Sequence, residues 1–396
     1  MSAGPVGAGS GGRVPGHRRF LMVTKFVPIP ADAGGKQRSL AILRRLAERG
    51  DVVLCAYDDG SADVAAVEKL GVDVRTVPWR PGPAAVARGV GRTKSLSAGR
   101  FWSRSLEAEV LRAAGEGPLD LLQIEYMQMA PFGDHVPARR RVLDLPDVQS
   151  ALAASYARGK RLPLSLPFHL EAAALRSLER RALGNFDTVV VVSEPERRRL
   201  PATAGSVLVC PNGIDMPEPL PPASSATVSF VATMGWAPNA DAALWLGREI
   251  WPAVTAAVPE ARLLLVGRDP TPAVRALASA GIEVSGTVDD VRPYLAQTAV
   301  AVAPLRSGGG TRLKILEALG VSRPVVATPA GVDGLEDLVG RGVVVADDAP
   351  GIARALVELL KAPERAADIG RAGHAAVAAD HSWDGALAPL LEAVSR

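Results

Sequence analysis

The residues best arranged for chemistry lie between positions 302 and 320, in the run VAPLRSGGGTRLKILEALG. An apolar strand ends at Pro304, then come Gly308, Gly309 and Gly310, and the pattern predicts a helix over 311–319. Glycines let a backbone approach a ligand closely and take positive φ. The first turn of a helix, here opening at Thr311, leaves N–H groups free and favours an anion. Arg312 and Lys314 add two cations, and Glu317, about a turn further on, is placed to accept hydrogen bonds from ribose hydroxyls. Together these make a phosphate- and ribose-binding site. A plainer reading is a flexible glycine loop before a surface helix with ordinary charges. Three glycines with this charge pattern at a strand end favour the ligand site.

Two series of strands and helices must position that segment. In the first half, short apolar runs predict strands at 20–23, 52–56, 72–77, 119–124, 142–145 and 188–192. A loop with Gly34 and Gly35 follows the first, leading into a helix over 37–48, while 81–104 shows no clear period. Between 195 and 225 the chain is Pro-rich and reads as a connector. The second series predicts strands at 228–233, 262–266, 282–284, 300–303, 324–327 and 343–345, with a long helix over 240–258. Such alternation implies parallel sheets with right-handed crossovers. At 396 residues the chain exceeds one ordinary core. The expected fold is therefore α/β, with two doubly wound, Rossmann-like domains facing across a cleft, and ligands beyond the carboxyl ends of the strands. The expected division is a tail at 1–18, a first domain at 19–200, a linker at 201–226, a second domain at 227–380 and a final helix at 381–396.

Composition narrows the function. Hydrophobic residues are 48%, charged 22% and aromatic only 4%, so Ala, Val and Leu must fill cores of helices packed on parallel strands. The net charge is +3, and the arginines are spread out without a basic block interleaved with aromatics, which argues against a nucleic-acid partner. Cys55 and Cys210 sit in or beside apolar runs and read as buried free thiols. No run reaches the roughly 20 apolar residues of a membrane span. The expectation is a cytoplasmic protein, with peripheral contact to the inner membrane face left open. His17, His135, His169, His374 and His381 do not cluster, and no Asp-x-Asp pair follows a strand, so no metal and no cofactor is expected. GVGRTKS at 89–95 lacks the spacing of a phosphate loop. Trp236, Trp245 and Trp251 read as packing residues, Trp236 being the exception because it stands at a strand end.

The order of several motifs resembles the large retaining GT-B glycosyltransferase family, family-4-like or group 1, that includes bacterial polysaccharide and mannosyl transferases. Lys314, Glu317 and Ala318 match its K-x-x-E-A helix, followed by RPVVATPAGVDGLED. VVVVSEPERRRL (189–200), CPNGID (210–215), SGTVDDVRPYL (285–295) and HSWD (381–384) occur in the family's order, so the resemblance covers nearly all of the chain after Arg18. It implies sugar transfer from a nucleotide-diphosphate donor to a glycan, lipid-linked or small-molecule acceptor, with retention and without metal. By resemblance, amides of Gly308, Gly309, Gly310 and Thr311 face the donor sugar and phosphates. Lys314 and Arg312 neutralise the leaving diphosphate, and Glu317 holds the ribose. Gly286, Thr287 and Val288 flank the base, the GVDGL loop from Gly331 through Gly334 to Leu335 closes the sugar pocket, and Gly34 and Gly35 reach across to the diphosphate from the first domain, with Arg38 nearby.

The sequence departs from the family in two places. The first of two glutamates that commonly flank seven residues is Gly309 here. An early Arg and Lys of the second domain are replaced by MGWAPNADAALWL (234–246), whose Pro-Asn form resembles a subgroup linked to exopolysaccharide and secondary-metabolite clusters. The G-G-x-R-x-K loop is expected to supply the compensating charge. On the acceptor side, Glu125, Asp144 and Asp147 follow strands and are candidate contacts or bases; solvated loop carboxylates are the other reading. Loss of the first glutamate also leaves open a non-catalytic sugar-nucleotide-binding partner. A nucleotide-sugar epimerase of the same fold would need an acid/base pair that the sequence does not display.

Overall fold

The computed structural model describes residues 18–157, 161–201, 205–307 and 312–395. Seven parallel strands form the first sheet: β1 Arg19–Phe26, β2 Asp51–Asp58, β3 Val72–Pro78, β4 Leu121–Glu125, β5 Arg140–Leu145, β6 Thr188–Val191 and β7 Ser206–Val209. Their order is β3-β2-β1-β4-β5-β6-β7. Six more form the second: β8 Thr227–Val231, β9 Arg262–Val266, β10 Ile282–Gly286, β11 Val300–Ala303, β12 Val325–Ala327 and β13 Val343–Val345, in the order β10-β9-β8-β11-β12-β13. In both sheets the order reverses beside the first strand of the series, which is where a doubly wound sheet opens a ligand crevice.

The strands form where Val and Leu runs are buried on both faces. Leu21, Met22 and Val23 of β1, and Leu263, Leu265 and Val266 of β9, are fully buried. The helix Gly34–Ala47 turns Leu40, Ile42, Leu43 and Leu46 inward and ends with Arg44 and Arg45, which suit its negative C-terminal end. The segment without a clear period holds two helices, Pro83–Thr93 and Leu96–Gly99. The long helix of the second domain runs as Ala237–Trp245 and Trp251–Ala257, joined by a π-turn over Leu246–Ile250. That turn precedes Pro252, which has no N–H for the regular ladder.

One expected boundary shifts. The span 201–226, expected as linker, contains β7, which pairs with β6 and completes the first sheet. Proline brackets this four-residue strand downstream, which is why its Val–Leu–Val run reads as connector in sequence. After it the chain crosses to the second domain beside the returning C-terminus, where Ile214 bridges Ser382. The last helix, Trp383–Ser395, buries Trp383, Leu387, Leu390 and Val394 in the same core as Phe20, Met22 and Val52 of the first domain.

Candidate active site

A cavity of about 500 Å³ lies between the two sheets, lined among others by Gly34, Thr233, Trp236, Thr287, Lys314 and Glu317. The loops after β1, β8, β10 and β11 therefore converge on it, as doubly wound topology requires. Gly308, Gly309, Gly310 and Thr311 lie outside the described residues. The helix that follows begins at Leu313 and ends at Gly320. From the first domain, the start of the helix Gly34–Ala47 meets it closely. A Cβ on Gly34 would stand 2.7 Å from Leu313 Cδ1, and one on Gly35 would stand 2.2 Å from Tyr126 Oη. Only glycine lets that helix start, with its free N–H groups, reach the cleft.

Lys314 is the best-defined cation of the cleft. Its Nζ donates to Asn239 Oδ1 at 2.7 Å and lies 4.8 Å from the centre of the Phe230 ring. Asn239 is fixed in turn by donating Nδ2 to the Thr233 carbonyl at 2.9 Å. Burial, reinforced by the nearby Arg312, lowers the Lys314 ammonium to about 7, with Glu317 opposing the shift. Arg312 is buried, donates to the Ala330 carbonyl at 3.2 Å, and has its guanidinium pKa lowered by burial. Glu317 accepts from Gln37 Nε2 at 3.2 Å, and burial raises its pKa against that bond and Lys314. The two cations thus sit largely desolvated at the start of one helix, where low local polarity strengthens their attraction for any anion that enters the cleft.

The domains also touch around the cleft. Arg268 pairs with Asp32, Gln37 with Glu317, and Arg199 with Asp333 at 3.4 Å. Gly334, at φ 85°, lies against Ser193 of the first domain. Leu335, at the end of the loop expected to close the sugar pocket, buries its side chain in the core with Leu316 and Leu338. Thr287 and Val288 line the cavity, and Gly286 makes the turn beneath them with φ 72°.

The three acceptor-side carboxylates have different surroundings. Asp144 is fully buried and holds Arg38 in a two-pronged pair, Nε–Oδ2 2.8 Å and Nη2–Oδ1 2.6 Å. Arg38 Nη1 also donates to the carbonyls of Cys210 and Pro211 and to Asn212 Oδ1. Arg38, expected near the diphosphate, and Asp144, expected to face an acceptor, therefore spend their hydrogen bonds on each other and on the interdomain crossing. A guanidinium and a carboxylate buried this deeply each need the other. Glu125 is buried as well and accepts from Ser39 Oγ, while its Oε1 has no partner. Burial beside Asp144 raises its carboxyl to about 8. Asp147 is half-buried, and burial with Glu196 raises its pKa while Lys25 and Arg312 lower it, so of the three it is the carboxylate near the cleft's cations.

Sequence reading missed several residues here. Lys25 follows the first apolar run; its Nζ lies 4.1 Å from the centre of the Tyr126 ring, and burial lowers it to about 8. With Thr24, Ser39, Gly35 and Tyr126 it lines a second cavity of about 430 Å³. Asp32, Ala33 and Arg268 line both cavities, so the two adjoin. Asn239 was visible as part of the Pro-Asn pair, but its grip on Lys314 was not. Among the described residues no group of three or more His, Cys, Asp or Glu is placed to hold a metal ion. No helix among them is long and apolar enough to cross a membrane.

Two sheets of this order around one cleft, with helix starts and cations converging on it, define a GT-B architecture. Residues 33–213 match the family model described as glycosyl transferase 4-like domain, and residues 225–362 the one described as glycosyl transferases group 1. The chain is accordingly a glycosyltransferase of the GT-B class, built from these two family modules, and it takes its sugar from a nucleotide-diphosphate donor. No curated protein matches the sequence significantly. Solved structures share the fold. Sucrose-phosphate synthase from Thermosynechococcus elongatus is 18% identical with a TM-score of 0.70, covering 95% of this chain and 98% of its own. HepE of Anabaena is 17% identical with a TM-score of 0.68, covering 96% and 100%. TarM is 10% identical with a TM-score of 0.69, covering 96% and 99%.

Proposed function

We propose that the chain transfers a hexosyl or related sugar, with retention and without a metal ion, from a UDP-, GDP- or TDP-sugar to a glycan, lipid-linked or small-molecule acceptor. The observation that carries this reading is Lys314, a half-buried lysine of the cleft held by Asn239 Oδ1 at 2.7 Å in the first turn of the helix Leu313–Gly320. As the sugar–phosphate bond breaks, negative charge grows on the diphosphate and positive charge on the anomeric carbon. Lys314, Arg312 and the amides at the start of the helix Gly34–Ala47 are already in place for that growing charge, which is the economical way to lower the barrier. Glu317 and its partner Gln37 offer oxygen and amide groups for the ribose. Thr287 and Val288 border the base in this reading.

Asn239 also supports placing the chain in the Pro-Asn subgroup tied to exopolysaccharide or secondary-metabolite assembly. It belongs to the segment in which the family resemblance implies an Arg and a Lys, and it accepts from Lys314 at 2.7 Å. The HepE structures, which hold UDP with glucose and UDP-glucose, support a sugar nucleotide as donor. The second cavity, next to Lys25 and Asp147, is the acceptor side in this reading, in a protein working in the cytoplasm. The test is turnover of a panel of nucleotide sugars with and without acceptors, with the anomeric configuration of donor and product read by NMR and EDTA added in parallel. Transfer with the donor's anomeric configuration, unaffected by EDTA, is expected. An inverted product removes retention, and loss of activity with EDTA removes the metal-free mechanism. Donor turnover that needs no acceptor and yields an isomer makes the chain an epimerase.

A further inference from the structure

Of the eight large aliphatic side chains exposed among the described residues, five lie at one corner of the first domain. They are Leu96, Leu162, Leu164, Leu166 and Leu170, exposed by 58%, 75%, 71%, 48% and 63%. Scattered exposed leucines are ordinary, but a contiguous group marks an interaction surface. Four of them occupy the turn before, and the first turns of, the helix Leu166–Leu183. Glu171 of that helix brings the fifth alongside, accepting from the backbone N–H of Leu96 at 2.9 Å and of Ser97 at 3.0 Å. At these exposures the leucines stand as protruding tips, not as the walls of a groove.

The charge around them is one-sided. The chain carries 45 Lys and Arg against 42 Asp and Glu, close to balance. Yet residues 79–106 hold Arg80, Arg88, Arg92, Lys94, Arg100 and Arg104 and no carboxylate. Residues 148–170, which include Arg161 and four of the leucines, have no carboxylate either. Arg88, Lys94, Arg100 and Arg161 are exposed. Of the carboxylates nearby, Glu171 is turned onto the backbone and hydroxyls of Ser95 to Ser97, and Asp134 pairs with Arg92 at 3.1 Å. Protruding aliphatic tips with Lys94, Arg100 and Arg161 close to them along the chain fit a surface that is apolar below and anionic above, which is an anionic lipid bilayer.

The corner also stands in a suitable place. The helix Gln149–Ala157 leaves the carboxyl end of β5, and Ser150 at its start donates to Glu179 of the returning helix through N at 2.8 Å and Oγ at 2.5 Å. The part of the Leu166–Leu183 helix before Glu179, about 20 Å long at the usual helical rise, links the leucine corner to the carboxyl end of β5, the rim that carries Asp147.

We propose that this corner is a docking surface for an anionic bilayer, with the leucine tips entering the interface and the cations meeting headgroup phosphates. Taken with the transfer reaction above, which this last step rests on, docking there presents a lipid-linked acceptor to the acceptor side of the cleft. The test is flotation of the full chain with phosphatidylcholine vesicles, with and without phosphatidylglycerol. Binding to the anionic vesicles, weakened by salt, is expected. The triple variant Leu162→Ser, Leu164→Ser, Leu170→Ser should lower the partition coefficient at least about tenfold. Its melting temperature and donor binding should match the wild type, since these side chains are mostly in water. Arg100→Glu with Arg161→Glu should weaken binding at low salt. Absence of flotation with anionic vesicles overturns the proposal, as does a triple variant that floats like the wild type. A dimer seen by light scattering that the triple variant converts to monomer also overturns it, assigning the corner to a second copy. None of these outcomes depends on sugar transfer, so the docking and transfer readings fail separately.

Discussion

Raising the pH through neutrality should weaken donor binding by way of one side chain, Lys314. Its ammonium is brought down to about 7 by burial and by Arg312, so in the empty cleft it is charged below that pH and loses its proton above it. A diphosphate binds the charged form and pulls the pKa back toward the ordinary lysine value of 10.5. Above neutrality, binding must therefore take up a proton, and Kd should rise about tenfold per pH unit, roughly 100-fold from pH 7 to pH 9. Below pH 7 it should be flat. The assay is titration calorimetry with an intact nucleotide sugar, whose esterified diphosphate does not itself titrate near neutrality. Running it in two buffers of different ionisation enthalpy reads the proton uptake directly. Lys314→Met should abolish the slope and the proton uptake and lower kcat by about 100- to 1,000-fold, the usual cost of one preorganised donor to a developing charge. A flat Kd in the wild type, or a Met variant that keeps the slope, refutes the assignment of Lys314 to the diphosphate.

Substitutions at three other positions probe the neighbourhood. Asn239→Ala removes the acceptor of a hydrogen bond from a charged group and should lower kcat/KM by about 10- to 100-fold. Asn239→Asp, which places a carboxylate beside Nζ, should instead move the alkaline limb of the pH–rate profile to higher pH. Arg38→Leu leaves Asp144 as an uncompensated buried carboxylate and should destabilise the fold by about 3–5 kcal/mol, read by urea unfolding; a near-neutral change would show that the pair is dispensable. Glu125 has its carboxyl raised by burial to about 8 from the ordinary 4.5, so between those pH values the folded state holds a proton that the unfolded state has released. Wild-type stability should fall across that window relative to Glu125→Gln, which mimics the protonated form, and the gap should stay level above pH 8. Parallel pH–stability curves for the two proteins would contradict this.

The strands were legible because each is a short run of Val, Leu, Ile or Ala bounded by turn residues, and burial on both faces demands such runs. β7 was not, since SVLV stands beside proline-rich chain and only its pairing with β6 distinguishes a strand from a connector. The helices Pro83–Thr93 and Leu96–Gly99 escaped for a related reason: the first buries only Gly89 and Thr93 among its eleven residues, and the second is a single turn of four. Among site residues, Lys314 and Glu317 were recognisable because both sit on one helix at fixed spacing. Arg38 and Asp144 are 106 residues apart, and nothing local says that they meet. Asn239 and Lys314, 75 residues apart, pose the same difficulty.

The sequence alone determined the two doubly wound sheets and the cleft between them, and it singled out the segment around Lys314 and Glu317 as the proposed place for a phosphate-bearing donor. These follow from local patterns: apolar run length, turn residues, and charges next to a helix start. Tertiary structure decided what each charge is for. It paired Arg38 with Asp144 in the core, raised Glu125 by burying it, and left Lys314 desolvated against Asn239 with its proton loosely held near neutrality. Ionisation depends on desolvation and on partners distant in sequence, and those exist only once the two domains have folded and closed on one another.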